Sequence, residues 1–156
     1  MFVSKRLNYC NILLYGIGDS LLKKLQTVQN SEACIVTSTK KFDHITLVLQ
    51  NLHWLPIRQW IQFKLAMIVF MCLRGLVPLY LADDCILVST VAGRRHLRLT
   101  TTMNLPAQRT STVVGATAFA LSAAVIWNNL PAELRLTSSV QTFSWKLKTF
   151  YTSSIM

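Results

Sequence analysis

PIRQWIQFKLAMIVFMCLRG, residues 56 to 75, decides what kind of fold this chain builds. Proline at the first turn of a helix loses no hydrogen bond, because the N–H it lacks would be unpaired there. Glycine suits the stop, where the backbone turns left-handed. The spacing between them predicts a helix over Pro56–Arg74. Its second half, Leu65–Leu73, is apolar on all sides, as in a helix buried at the centre of a core. These nine uncharged residues between Lys64 and Arg74 would rise only ~14 Å as a helix, well short of a bilayer core of ~30 Å.

Upstream, Leu21, Leu22, Leu25 and Val28 recur at helical spacing, with Lys23 and Lys24 between them and Asp19 and Ser20 placed to cap. This predicts a half-buried helix ending near Thr37. Asp43 is placed to cap a short helix carrying Ile45, Leu47, Val48 and Leu49, and His53 and Trp54 fall in a turn before Pro56. Downstream, Pro78 opens a short segment. From Arg94 to Val114 the pattern becomes alternating, with Leu97, Leu99, Thr101 and Met103 interleaved with Arg98, Thr100 and Thr102, and predicts a β-hairpin. Helix returns from about Ala116 to Asn129, stops at Pro131, and restarts after Ser139 with Val140, Phe143, Leu147 and Phe150 on one face. The fold class expected is mainly α (α+β), a small helical assembly with one β-hairpin around 94–114. It forms a single partial domain over 1–156, weakly divided into a helical part, 1–90, and a hairpin-plus-helix part, 91–156.

Composition narrows the functions. Of 156 residues, 52% are hydrophobic and 14% charged, which argues against a disordered chain and for one that needs extensive burial or a partner. Sixteen Lys and Arg against six Asp and Glu leave a net charge of +10, a field that favours nucleic acid, anionic lipid or an acidic protein, with polyanions at the head of the list. The densest positive run is Arg94, Arg95, His96 and Arg98, joined by Arg109 if the intervening segment folds back. Guanidinium forks match phosphate oxygens. A solvated loop is the alternative for these arginines, and diffuse charge comes from Lys5, Arg6, Lys23, Lys24, Lys40 and Lys41.

Cys10, Cys34, Cys72 and Cys85 show no metal-ligand spacing and read as reduced, buried thiols of an intracellular protein. His44, His53 and His96 lack a second ligand or a nucleophile at working distance in sequence. No secretory signal is evident after Met1. Thr110–Ala132 runs 23 residues without a charge, but its apolar part is only Val113–Trp127, and Gly115, Thr117 and Ser122 suit close packing inside protein. A membrane is therefore not an expected partner.

Asp83 and Asp84, in YLADDCIL (80 to 87), raise the prospect of a polymerase's metal-binding pair, since two hard oxygen donors must converge on hard cations there. Four stretches bear on this: SKRLNYCNILLYGIGDSLLKKLQTVQN (4–30), FDHITLVLQNLHWLPIRQWIQFKL (42–65), RGLVPLYLADD (74–84) and GATAFALSAAVIWNNLPAELR (115–135). Taken in order they resemble the carboxy-terminal region of the reverse transcriptase polyprotein of jockey-like non-LTR (LINE-type) retrotransposons. LHWLPIR and WNxLP are the most specific pieces, and the resemblance covers nearly the whole chain.

The resemblance implies thumb and tail material following an RNA-directed DNA polymerase core, not the palm that carries the aspartates. In a polymerase hairpin an aromatic residue stands two positions before the first aspartate, where this chain has Leu81. No catalytic residue, metal or cofactor is expected, and Asp83 and Asp84 read as capping or solvated residues at a helix boundary. The chain departs from the family pattern at Thr117 and Ala120 and at Ala124, Val125 and Ile126, all of which make the segment more apolar.

The function expected is a non-catalytic fragment of a transposable element's polyprotein, located in nucleus or cytoplasm. It would bind RNA or DNA weakly and without sequence preference, and it would support the upstream polymerase domain. The alternatives are a small basic membrane protein anchored through 110–132 and a functionless relic.

Overall fold

A computed structural model describes residues 14–39, 44–88, 103–106 and 119–153. Among them the fold is mainly helical: α1 Asp19–Thr37, α2 Ile45–Asn51, α3 Ile57–Leu73, α4 Leu79–Ala82, α5 Phe119–Asn128, α6 Ala132–Arg135 and α7 Val140–Ser153. The predicted hairpin at 94–114 lies outside the described residues except at 103–106, which form no strand. Met103 there turns left-handed at φ 51.

The chain forms two compact units, one of Met1–Lys64 with Lys148–Met156, the other of Leu65–Leu147. In the first unit α1 packs on α2 through Ala33, Val48 and Leu49, with Ile45, Leu52 and Trp54 around them. The stripe anticipated on α1 is half correct. Leu22 and Leu25 are partly buried, but Leu21 and Val28 face solvent, and the buried positions include Gln29 and Glu32. Asp19 does not cap either. Gly18 is the N-cap, its carbonyl accepting from the N–H of Leu21 and Leu22, while Asp19 sits in the first turn and pairs with Arg58.

Polar side chains inside this unit hold the LHWLPIR turn. The N–H of Ile57, orphaned at the start of α3, donates to Gln26 Oε1 at 2.9 Å, and Gln29 Nε2 donates to the Leu55 carbonyl at 3.0 Å. Gln26 Nε2 in turn donates to Gln29 Oε1 at 2.9 Å and to Asn30 Oδ1 at 2.8 Å. Just before, α2 ends in a left-handed stop. Trp54 N–H reaches back to the Leu49 carbonyl and His53 N–H to that of Gln50, with His53 at φ 54. The six-to-one and five-to-two bonds define a Schellman motif, and Trp54 supplies the apolar contact that usually accompanies one.

α3 is buried as its sequence requires: no residue from 59 to 73 is exposed, and Leu65, Ala66 and Val69 are fully enclosed. It ends in a second Schellman motif, with Leu76 N–H on the Met71 carbonyl, Gly75 N–H on that of Cys72, and Gly75 at φ 67.

The second unit is centred on three rings. Phe70 stacks on Phe143 with centroids 4.1 Å apart, and Trp127 lies 6.5 Å from the first and 6.0 Å from the second. Rings of this size each remove ~150–250 Å² from water. Arg74 lies over Phe70 and donates to the Thr137 carbonyl at 2.6 Å, tying the end of α3 to the turn before α7. The short helix α6, opened by Pro131, was not anticipated; four residues are too few for periodicity to reveal.

No described helix is long and apolar enough to cross a membrane. α5 has ten residues, ~15 Å, and Ser122, Ala123, Ala124, Ile126 and Trp127 on it are buried within the unit.

Candidate functional site

The four arginines singled out from sequence, Arg94, Arg95, Arg98 and Arg109, lie outside the described residues. Between Arg98 and Arg109 in sequence, however, four residues are described in detail: Met103, Asn104, Leu105 and Pro106. The WNNLPAELR stretch grips them. Trp127 Nε1–H donates to the Met103 carbonyl at 2.7 Å. Asn128 makes two bonds to Leu105, accepting its N–H on Oδ1 at 2.9 Å and donating Nδ2–H to its carbonyl at 2.8 Å. Arg135 Nη1 donates to Asn104 Oδ1, and Val88 N–H to the Asn104 main-chain carbonyl at 3.0 Å.

These contacts account for the motif. Asn128 bonds Leu105 as a neighbouring peptide group would, so this residue, buried at 4% exposure, has both its main-chain polar groups satisfied. Trp127 beside it serves two ends at once, its indole N–H bonding the Met103 carbonyl while its ring joins Phe70 and Phe143. Met103 holds a left-handed backbone that costs a non-glycine residue on the order of 1 kcal/mol, and the indole bond to its carbonyl helps fix it.

Arg135 is 92% enclosed, its relative exposure being 8%. Its Nε has no hydrogen-bond partner among the described residues, and burial lowers its tendency to hold a proton. None of Gln26, Gln29, Asn104, Asn128 and Arg135 was marked as structural in the sequence. The only signal was a polar residue set next to an apolar stripe, which solvated residues share.

Asp83 caps the end of α4 and Asp84 follows it, both exposed, as expected for residues at a helix boundary. Among the described residues no three His, Cys, Asp or Glu come together to hold a metal. His44 is the N-cap of α2 and His53 the left-handed turn residue; His96 is outside the described residues. Cys72 and Cys85 are buried and in mutual contact; burial first, then the neighbouring thiol, pushes Cys85 up to about 12, and burial also raises Cys72. Cys34 is only partly buried.

No protein-family model, no curated protein and no solved structure matches the chain.

Proposed function

We propose that this chain is a non-catalytic scaffold derived from the carboxy-terminal region of a LINE-type reverse transcriptase polyprotein. In this reading it holds RNA or DNA weakly through Arg94, Arg95, Arg98 and Arg109. The observation that carries the reading is the net charge of +10 combined with the anchored segment, which lies five residues after Arg98 and three before Arg109. A basic run attached to a fixed point retains more of its phosphate contacts than one on a free tail, because less ordering entropy is lost on binding.

The two most specific stretches of the resemblance support a scaffold rather than an enzyme. LHWLPIR forms the Schellman turn and the glutamine-held start of α3, and WNNLP forms the clamp on 103–106. Both are joints of the fold, and the Trp127 and Asn128 side chains of the second are spent on main-chain partners. An upstream polymerase domain is the protein partner this reading implies, and nucleus or cytoplasm the compartment.

The test is anisotropy of a labelled single-stranded RNA titrated with the intact chain, alongside a primer-extension assay with Mg²⁺ or Mn²⁺. The account expects saturable binding in the ~10⁻⁴–10⁻⁶ M range typical of non-specific phosphate contacts, equal on scrambled strands, and no nucleotide incorporation. Absence of binding at low salt, or incorporation lost on Asp83→Ala, overturns it.

A further inference from the structure

Where the chain enters α1, Leu14–Gly16 makes a tight turn, with Ile17 N–H on the Leu14 carbonyl and Gly16 at φ 81. This turn, the first residues of α1 and one face of α3 line an open surface pocket of about 230 Å³ within the first unit. Its apolar lining is provided by residues such as Leu22 and Ile61, and its polar lining by Tyr15, Asp19, Arg58 and Gln62. Arg58 and Gln62 stand one helical turn apart on α3 and share a face.

The chemistry of the lining selects a ligand. The volume is below the roughly 300–1,000 Å³ of sites for drug-sized molecules, so one ring system fits and a whole nucleotide does not. An anion would have to displace Asp19 from Arg58, whereas a neutral edge can bond to both. A cation is repelled by the +10 charge. What remains is a neutral planar ring with apolar faces and an edge bearing both donors and acceptors. Asp19 accepts, Arg58 donates, and Gln62 and Tyr15 do either. The Arg58–Asp19 pair is solvated, at 59% and 75% side-chain exposure, so it contributes little to folding and is free to exchange partners with a ligand edge.

We propose that this cavity binds a single unpaired nucleobase, its faces against Leu22 and Ile61 and its edge hydrogen-bonded by Asp19, Arg58 and Gln62. The base comes either from a free nucleoside or from a single strand. The second source rests on the nucleic-acid reading above; the chemistry of the cavity does not.

The intact chain is titrated with 2-aminopurine riboside, which is uncharged and fluorescent, and separately with a single strand and its abasic counterpart. A saturable fluorescence change is expected with the riboside. Gln62→Ala and Tyr15→Ala should each weaken it about tenfold, the equivalent of one lost hydrogen bond or ring contact, with melting temperatures unchanged. Should either variant unfold, competition by adenosine against the parent replaces it, and displacement of the probe is expected. The base-bearing strand should bind more tightly than the abasic one. Riboside binding without strand binding keeps the cavity proposal and removes the nucleic-acid reading. Strand binding equal to that of the abasic strand, with no riboside signal, removes the cavity proposal and keeps the other. A riboside signal unmoved by both substitutions, or not displaced by adenosine, also overturns the proposal.

Discussion

Gln26 Oε1 accepts the main-chain N–H of Ile57 at 2.9 Å, so the first free donor of α3 is capped by a side chain from α1, 31 residues earlier. Helix starts are usually capped from within a few residues. Here Pro56, whose carbonyl accepts the N–H of Trp60, has no side-chain acceptor to cap with, and the partner comes from across the unit.

Gln26→Ala and Gln29→Ala should each lower stability by ~1–2 kcal/mol, since each leaves a backbone group of the LHWLPIR turn unpaired. Because the two glutamines also bond to one another, the double variant should cost less than the sum, by ~0.5–1 kcal/mol. Chemical denaturation of the four proteins measures the coupling, and strict additivity would show that the two act separately.

His53 and Gly75 occupy the same left-handed position of two Schellman motifs, at φ 54 and 67. His53→Gly should therefore stabilise by up to ~1 kcal/mol, and Gly75→Ala should destabilise by ~1 kcal/mol. At Gly75 nothing lies within 4 Å of the added methyl group, so the loss is conformational and not steric. Thermal melts of the two variants decide it; equal signs would contradict the motif assignment.

Asn128→Ala should free both polar groups of buried Leu105, lowering stability by ~1–3 kcal/mol and speeding amide exchange at Leu105 well before global unfolding. Trp127→Phe should cost a similar amount, from the lost bond to Met103 and the space left beside Phe70 and Phe143. Exchange at Leu105 that keeps pace with the core in Asn128→Ala would mean that the segment is held some other way.

Alkaline pH should weaken the fold. Burial raises Cys85 from 9.0 and Tyr151 from 10.0, each to about 12. Each then keeps its proton in the folded state while the unfolded chain releases it. Their contribution is thus full below pH 9, and it falls as pH rises through the folded values near 12. Denaturation midpoints measured from pH 8 upward should decline, less steeply in Cys85→Ala. Iodoacetamide at neutral pH should modify Cys34 ahead of Cys72 and Cys85. Equal labelling of all three would contradict the burial of the pair.

What was legible in the sequence is what periodicity and punctuation encode. α3 and its glycine stop came from Pro56, Gly75 and the apolar run between them, within a residue of the observed bounds, and the start of α7 from Ser139 and the face of Val140, Phe143, Leu147 and Phe150. What was not legible depends on contacts distant in sequence. Gln29 looks like a solvated helix residue until the Leu55 carbonyl arrives beneath it, and Asn128 looks like a helix terminus until Leu105 lies alongside. The cavity residues fall in two pairs far apart in sequence, Tyr15 with Asp19 and Arg58 with Gln62, because two separate helices and a turn bring them together. The exposure of Leu21 and Val28 had no sequence signature, since an apolar stripe does not state which part of it a short partner helix will cover.

The most direct test of the central claim is the salt dependence of RNA binding in the parent and in a variant with Arg94, Arg95 and Arg98 all changed to alanine. Each phosphate neutralised on a single strand releases counterions, so log affinity falls with log salt at a slope of about 0.7 per contact. Loss of three contacts should lower the slope by roughly 2, with weakening equal across sequences because phosphate contacts carry no base information. An unchanged slope would contradict the account and return these arginines to the role of solvated loop residues.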